Sequence, residues 1–212
     1  MTPFFFGTAD HRLFGAYQPS RRQTGRSRGV VLCYPCGHEY VPAHRAFRSL
    51  AGLLADAGHD VLRFDYHGTG DSGGDLEEST SPSWREDISM AIDELKDTAG
   101  ADRVSLCGLR MGAAWAAQVA SERADVDRLV AWDPVLDGRE YVQALTRLRL
   151  PTLVLLTQEA EAGIGRALVP DTSGEGRIEV ESVRGASVWI EGAFGTGGLP
   201  VPALHRIVDW LA

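Results

Sequence analysis

The chain has 212 residues, a net charge of −8 and an isoelectric point near 5.2, an acidic balance that argues against a general nucleic-acid surface. A hydrophobic content of 44% and a charged content of 24% are those of a soluble globular domain with enough core to stand without disulfides. Three cysteines, an odd number, do not make a disulfide framework, and Phe4-Phe5-Phe6 is too short for a secretion signal or a membrane span, so a reduced cytoplasm is the expected compartment. Among 21 lysines and arginines only Lys96 is lysine, a bias expected of a GC-rich bacterial genome.

Taken in chain order, Pro3–Gly7 and Arg12–Tyr17 predict two short strands joined at Asp10-His11 as an antiparallel hairpin. The run Arg21, Arg22, Arg26, Arg28, interleaved with Gly, Ser and Thr, reads as a solvated loop. Gly29–Tyr34 is a continuous apolar strand of buried type. Pro42–Ala57 has helical spacing, with Phe47, Leu50, Leu53 and Leu54 on one face. Val61–Phe64 is a second buried strand, ending in the loop Asp65–Ser72. Pro82 opens a helix over Ser83–Thr98 with acidic residues in its first turn. Val104–Cys107 and Met111–Arg123 form the next strand and helix, and Leu129–Trp132 and Thr152–Leu156 two further strands. Arg177–Val183 and Ser187–Ile190 are later strand candidates, and Ala203–Leu211 predicts a closing helix. Strands alternating with helices of this length specify a largely parallel sheet covered on both faces.

One turn decides the chemistry. Gly108-Leu109-Arg110-Met111-Gly112 joins an apolar strand to an Ala-rich helix in the pattern Gly-x-Arg-x-Gly. In that context Gly-x-Ser-x-Gly forms a nucleophile elbow, in which a tight turn lifts the central side chain above the sheet. Arginine stays protonated, offers five donors and has no lone pair for attack.

Four segments together resemble the α/β-hydrolase superfamily. They are Val31-Leu32-Cys33-Tyr34-Pro35-Cys36-Gly37-His38, the Asp65-x-x-Gly68-x-Gly70-x-Ser72 loop, the Arg110 elbow and Trp132-Asp133-Pro134-Val135. Within the superfamily the chain is similar to the hydrolase-like proteins associated with bacterial exosortase systems, through its Gly-Leu-Arg-Met-Gly-Ala elbow and its His38-Glu39-Tyr40 stretch. The resemblance implies an α/β-hydrolase fold in a single domain over residues 1–212. Its sheet would be mostly parallel and doubly wound, with the antiparallel hairpin at the N-terminus and no sizeable lid. It also implies that the amides of Cys36 and Met111 form an oxyanion hole.

The departures concern the triad. The loop expected to carry its histidine, Gly192–Pro200, contains none, and His205 falls in the final helix. The expected acid position reads Thr157-Gln158-Glu159-Ala160-Glu161, which fixes no acid. Arg110 would be a cation at a helix N-terminus, where the dipole favours anions. It therefore requires an acidic partner, for which Asp133 on the neighbouring strand is the candidate, or an anionic ligand. His38 with Glu39, and His44, are the best sources of a general acid or base. His67 is a secondary substrate-binding candidate and Trp132 a cleft wall or core aromatic. Asp65 is expected to bond backbone amides. Cys33, Cys36, His38 and His44 do not have zinc-ligand spacing, and Cys36 as a substitute nucleophile needs a nearby base.

These residues point to an enzyme without serine chemistry. It would act non-covalently on an anionic, carbonyl-containing small molecule or acyl thioester, with no cofactor, no metal and no membrane span. The alternative is a catalytically inactive pseudo-hydrolase that binds a metabolite, a tethered acyl group on a carrier, or a biosynthetic partner protein. A homodimer is open to either.

Overall fold

The computed structural model describes residues 1–22, 27–135, 139–157, 178–185, 187–189 and 199–212. A single eight-stranded sheet organises them, in the order β1-β2-β4-β3-β5-β6-β7-β8. Strands β1 (Thr2–Gly7) and β2 (Arg12–Gln18) form the expected hairpin, and β2 pairs antiparallel to β4. The remaining strands, β3 (Gly29–Cys33), β4 (Asp60–Phe64), β5 (Val104–Leu109), β6 (Val126–Trp132), β7 (Thr152–Thr157) and β8 (Ile178–Val183), run parallel. Three of them, β3, β5 and β7, carry no charged residue, because helices cover both their faces.

Helix α1 (Tyr40–Ala57) buries Phe47, Leu50 and Leu54 against one face and packs beside the closing helix α5 (Val201–Leu211). The other face carries α2 (Ser81–Ala99), α3 (Met111–Glu122) and α4 (Arg139–Arg147), packed in that order. Helix α2 starts earlier than expected. Thr80 caps it through a reciprocal pair with Ser83, which moves Glu86 and Asp87 out of the first turn. Helix α4 had no predicted counterpart. The candidate strand Ser187–Ile190 is not one: Val188 and Trp189 lie in a turn, and Ile190 is outside the described residues. Only α4 is described between β6 and β7, an arrangement without a lid.

The sheet brings the carboxyl ends of β3, β5, β6 and β7 side by side, the edge at which open α/β sheets place their ligands. Among the described residues no helix is long and apolar enough to cross a membrane.

Candidate active site

Arg110 links β5 to α3 with φ 55 and ψ −122, a left-handed conformation that costs an L-residue about 1–3 kcal/mol and needs enforcement by its surroundings. The flanking glycines supply that enforcement. A Cβ on Gly108 would lie 2.5 Å from the Ala113 nitrogen, and one on Gly112 would collide with the carbonyl oxygens of Cys33 and Tyr34. Bonds from Arg110 N–H to the Trp132 carbonyl (3.1 Å) and from Val135 N–H to the Arg110 carbonyl (3.4 Å) tie the turn to the end of β6. The sharp turn expected at this position is therefore present.

The Arg110 side chain is 17% exposed and its guanidinium has three partners. Its Nε donates to Glu39 Oε1 at 3.2 Å, Nη1 donates to the Asp133 carbonyl oxygen at 3.2 Å, and its carbon lies 3.9 Å from the centre of the Trp189 ring. The acidic partner is thus Glu39, not the Asp133 carboxylate. Glu39 ends a short 3-10 turn, Gly37–Glu39, that projects from β3 towards the elbow. Its charge offsets a cation placed where the α3 dipole disfavours one. Nη2 carries no hydrogen bond among the described residues and is the free edge of the group.

Asp133 is fully buried and also has a positive φ, 41°, and its carboxylate forms no ion pair with Arg110. Oδ1 accepts from Thr157 N–H at 2.7 Å. Oδ2 accepts from the Thr157 hydroxyl at 2.9 Å and from Trp189 Nε1 at 3.1 Å. Burial raises the Asp133 pKa above the ordinary carboxylate value, with those hydrogen bonds and the Arg110 charge opposing the shift. The Thr157 hydroxyl also meets Ser187 Oγ at 2.9 Å, so a chain of buried hydroxyls backs the carboxylate. Trp189 was absent from the sequence expectations. Its bond to Asp133 and its stacking under Arg110 make it the link between the two.

Other expected residues are placed as follows. Neither the Cys36 nor the Met111 N–H has a backbone acceptor among the described residues. The Cys36 thiol is pushed up in pKa by burial and by the Glu39 charge, so it stays protonated at neutral pH. His38 is exposed without a hydrogen-bond partner among the described residues. Trp132 is fully buried, parallel to Phe47 at 6.3 Å, and is a core aromatic with no exposed face to offer a substrate. His67 stacks on His11 at 4.1 Å and its amide donates to Asp87, whose carboxylate also meets His11 Nε2 at 2.5 Å. That cluster anchors the N-terminal hairpin to α2 and gives His67 no contact with Arg110. Asp65 accepts from the Tyr40 hydroxyl and the Asp71 amide, the structural role expected of it. Gln158–Glu161 and the loop 192–198 lie outside the described residues. The three cysteines are free, and among the described residues no three His, Cys, Asp or Glu side chains converge as a metal site.

Residues 25–181 match the family described as serine aminopeptidase, S33. The chain belongs to that family, within the α/β-hydrolase superfamily. This S33-family chain is also 32% identical over 83 residues to the human mitochondrial palmitoyl-protein thioesterase ABHD10, a match covering 36% of this chain and 24% of the thioesterase. It therefore spans about a quarter of that curated relative. An alpha-beta serine hydrolase homologue from Coxiella burnetii superimposes with a TM-score of 0.78 at 18% identity, covering 100% of this chain and 97% of its own. A serine hydrolase without lid from Xanthomonas campestris does so at 0.72 and 14%, covering 99% and 91%. At these identities the two structures speak to the fold.

Proposed function

We propose that this chain is a hydrolase-fold protein that holds its ligand without a covalent intermediate, receiving the negative group of an acyl or other carbonyl compound at Arg110. One observation carries the reading: Arg110 stacks on Trp189, and Trp189 donates to the buried Asp133 carboxylate. In α/β-hydrolases the nucleophile, acid and base follow in that chain order, with the base hydrogen-bonded to the acid. Arg110, Asp133 and Trp189 follow in the same chain order, but Asp133 lies at the end of β6 and not β7, and the indole meets Arg110 by stacking and not by a hydrogen bond. An indole N–H only donates and cannot take up a proton. No described histidine ring other than His11 has a hydrogen-bond partner, so no described serine is paired with a base. With the Cys36 thiol held protonated, neither a described serine nor this thiol is activated for attack.

Arg110 suits binding because two of its edges are fixed by Glu39 and Asp133 while Nη2 has no hydrogen bond among the described residues. A guanidinium held in place loses little further rotamer freedom when an oxyanion docks on it. A carrier-tethered acyl group whose far end bears a carboxylate is a ligand of the same chemistry. The chain would then be the non-catalytic alternative set out above.

A second reading is favoured by the amides of Cys36 and Met111, which have no backbone acceptor among the described residues. They could polarise a carbonyl while His38 moves protons, giving Ser-independent hydrolysis of an acyl thioester. Titration with 3-oxohexanoate and its uncharged methyl ester, followed by tryptophan fluorescence, tests the binding reading. The acid is expected to bind at least tenfold more tightly than the ester, and Arg110→Met to erase that difference. Equal affinities in the unmodified protein, or a fluorophosphonate adduct in its intact mass, would sink it. Turnover of an S-acyl-N-acetylcysteamine that His38→Ala abolishes would favour the second reading.

A further inference from the structure

Arg63 stands in the apolar strand β4, paired with Ala16 on β2 and Leu32 on β3. It is 6% exposed, yet no carboxylate lies within ion-pair distance of it among the described residues. Nη1 donates to the Tyr34 hydroxyl at 3.1 Å and Nη2 meets the Met1 sulfur at 2.9 Å, while Nε has no partner. A hydroxyl dipole and a thioether, which is a weak acceptor, do not neutralise a guanidinium. Arginine cannot shed its proton as a buried lysine or histidine can, so an uncompensated charge at this depth is expensive.

The side chain faces a cavity of about 150 Å³ bordered by Tyr34, Tyr40, His44 and Arg48. That is room for a carboxylate or phosphate group. Arg48 adds a second cation on the exposed rim. Burial, Arg63 and Arg48 all push the His44 pKa down, while Asp65 opposes them. Two carboxylates also border the cavity. Asp65 is engaged by the Tyr40 hydroxyl (2.6 Å) and the Asp71 amide (3.1 Å), and Asp71 is on the exposed rim. Neither forms an ion pair with Arg63.

We propose that Arg63, with Arg48 and the Tyr34 hydroxyl, forms a second anion site that binds the carboxylate or phosphate group of a small molecule between β4 and the start of α1. The guanidinium fork matches both groups in two-pronged geometry. The site is independent of Arg110, although the loop of residues 34–40 borders both: it supplies Glu39 to one arginine and Tyr34 and Tyr40 to the other.

The test uses the full chain in chloride buffer, adding inorganic phosphate or malonate at constant ionic strength, with melting temperature and calorimetric titration as readouts. At least one anion is expected to stabilise the protein saturably, with a dissociation constant in the millimolar range or below. Saturation by only one of them assigns the group and supports the site equally. Arg63→Met is expected to weaken binding at least tenfold, and to melt in chloride at or above the temperature of the unmodified protein. Arg110→Met is expected to leave the anion effect in place, which separates this site from the reading above. Absence of saturable binding to both anions, or binding that survives Arg63→Met, overturns the proposal. Should Arg63→Met fail to fold, Arg48→Ala decides: severalfold weaker binding supports the site, and unchanged binding overturns it.

Discussion

Two arginines, Arg110 and Arg63, are held among apolar side chains beside the same loop, and they are accommodated in opposite ways. Arg110 has a carboxylate, a carbonyl and an indole face around it, and is half-buried. Arg63 is deeper, with a hydroxyl, a thioether and an unpartnered Nε. Depth alone therefore does not say whether a charge is structural. What distinguishes the two is whether the fold itself supplies the counter-charge. His59 is a third case, at the amino ends of the strands. It is 2% exposed with both ring nitrogens unpartnered, and it escapes by a route closed to arginine, since it can go neutral.

The comparison can be broken first at the acid behind Arg110. Asp133→Ala strands the Thr157 amide, the Thr157 hydroxyl and the Trp189 N–H in the interior. The expected cost is about 3–5 kcal/mol in urea unfolding at an unchanged denaturant slope. A loss under 1 kcal/mol would mean that water reaches this network and that Arg110 is not rigidly supported.

His59 gives the next largest effect. Burial and the Arg28 and Arg128 charges push its pKa down to about 4 from an ordinary 6.5. The unfolded chain takes up the proton first, so stability is full above pH 6.5 and falls as pH drops towards 4, by about 3 kcal/mol. His59→Phe should flatten that part of the pH–stability curve, and an unchanged curve would show that the acid sensitivity resides elsewhere. Third, Glu39→Gln should cost about 1–2 kcal/mol, because it leaves Arg110 as short of counter-charge as Arg63. A melting temperature unmoved by that change would contradict the distinction drawn between the two arginines. The smallest expected effect is Trp189→Phe, about 1 kcal/mol: the ring under Arg110 survives but the bond to Asp133 is lost. Its measurement by the same urea assay separates stacking from hydrogen bonding.

The parallel core was legible because strands such as β3 and β7 carry unbroken apolar runs between turn signals, at Val30–Cys33 and Leu153–Leu156. The Arg110 turn was legible because two glycines at fixed spacing announce a close approach of strand and helix. Its partners were not. Glu39 and Trp189 reach Arg110 from 71 and 79 positions away in sequence, through a 3-10 turn and an irregular segment that periodicity does not describe. Asp133 was placed correctly at the end of β6, but nothing in its neighbours foretells its positive φ or the bonds its carboxylate accepts from Thr157. Arg63 carried a signal that strand patterning absorbed: a charged residue inside Val61-Leu62-Arg63-Phe64 already implied a buried cation. Helix α4 escaped the sequence reading because its nine residues, Arg139–Arg147, are too short a stretch for helical periodicity to declare itself.

Gly112 has a consequence for how this molecule can change. Because the Cys33 and Tyr34 carbonyls leave no space for even a methyl there, and Gly108 is confined by Ala113, the bend tolerates no redrawing at its edges. Variation is channelled into position 110, whose side chain leaves the turn towards the cleft. Saturation mutagenesis at that one codon would therefore sample reactive, charged and inert head groups on an unaltered mount.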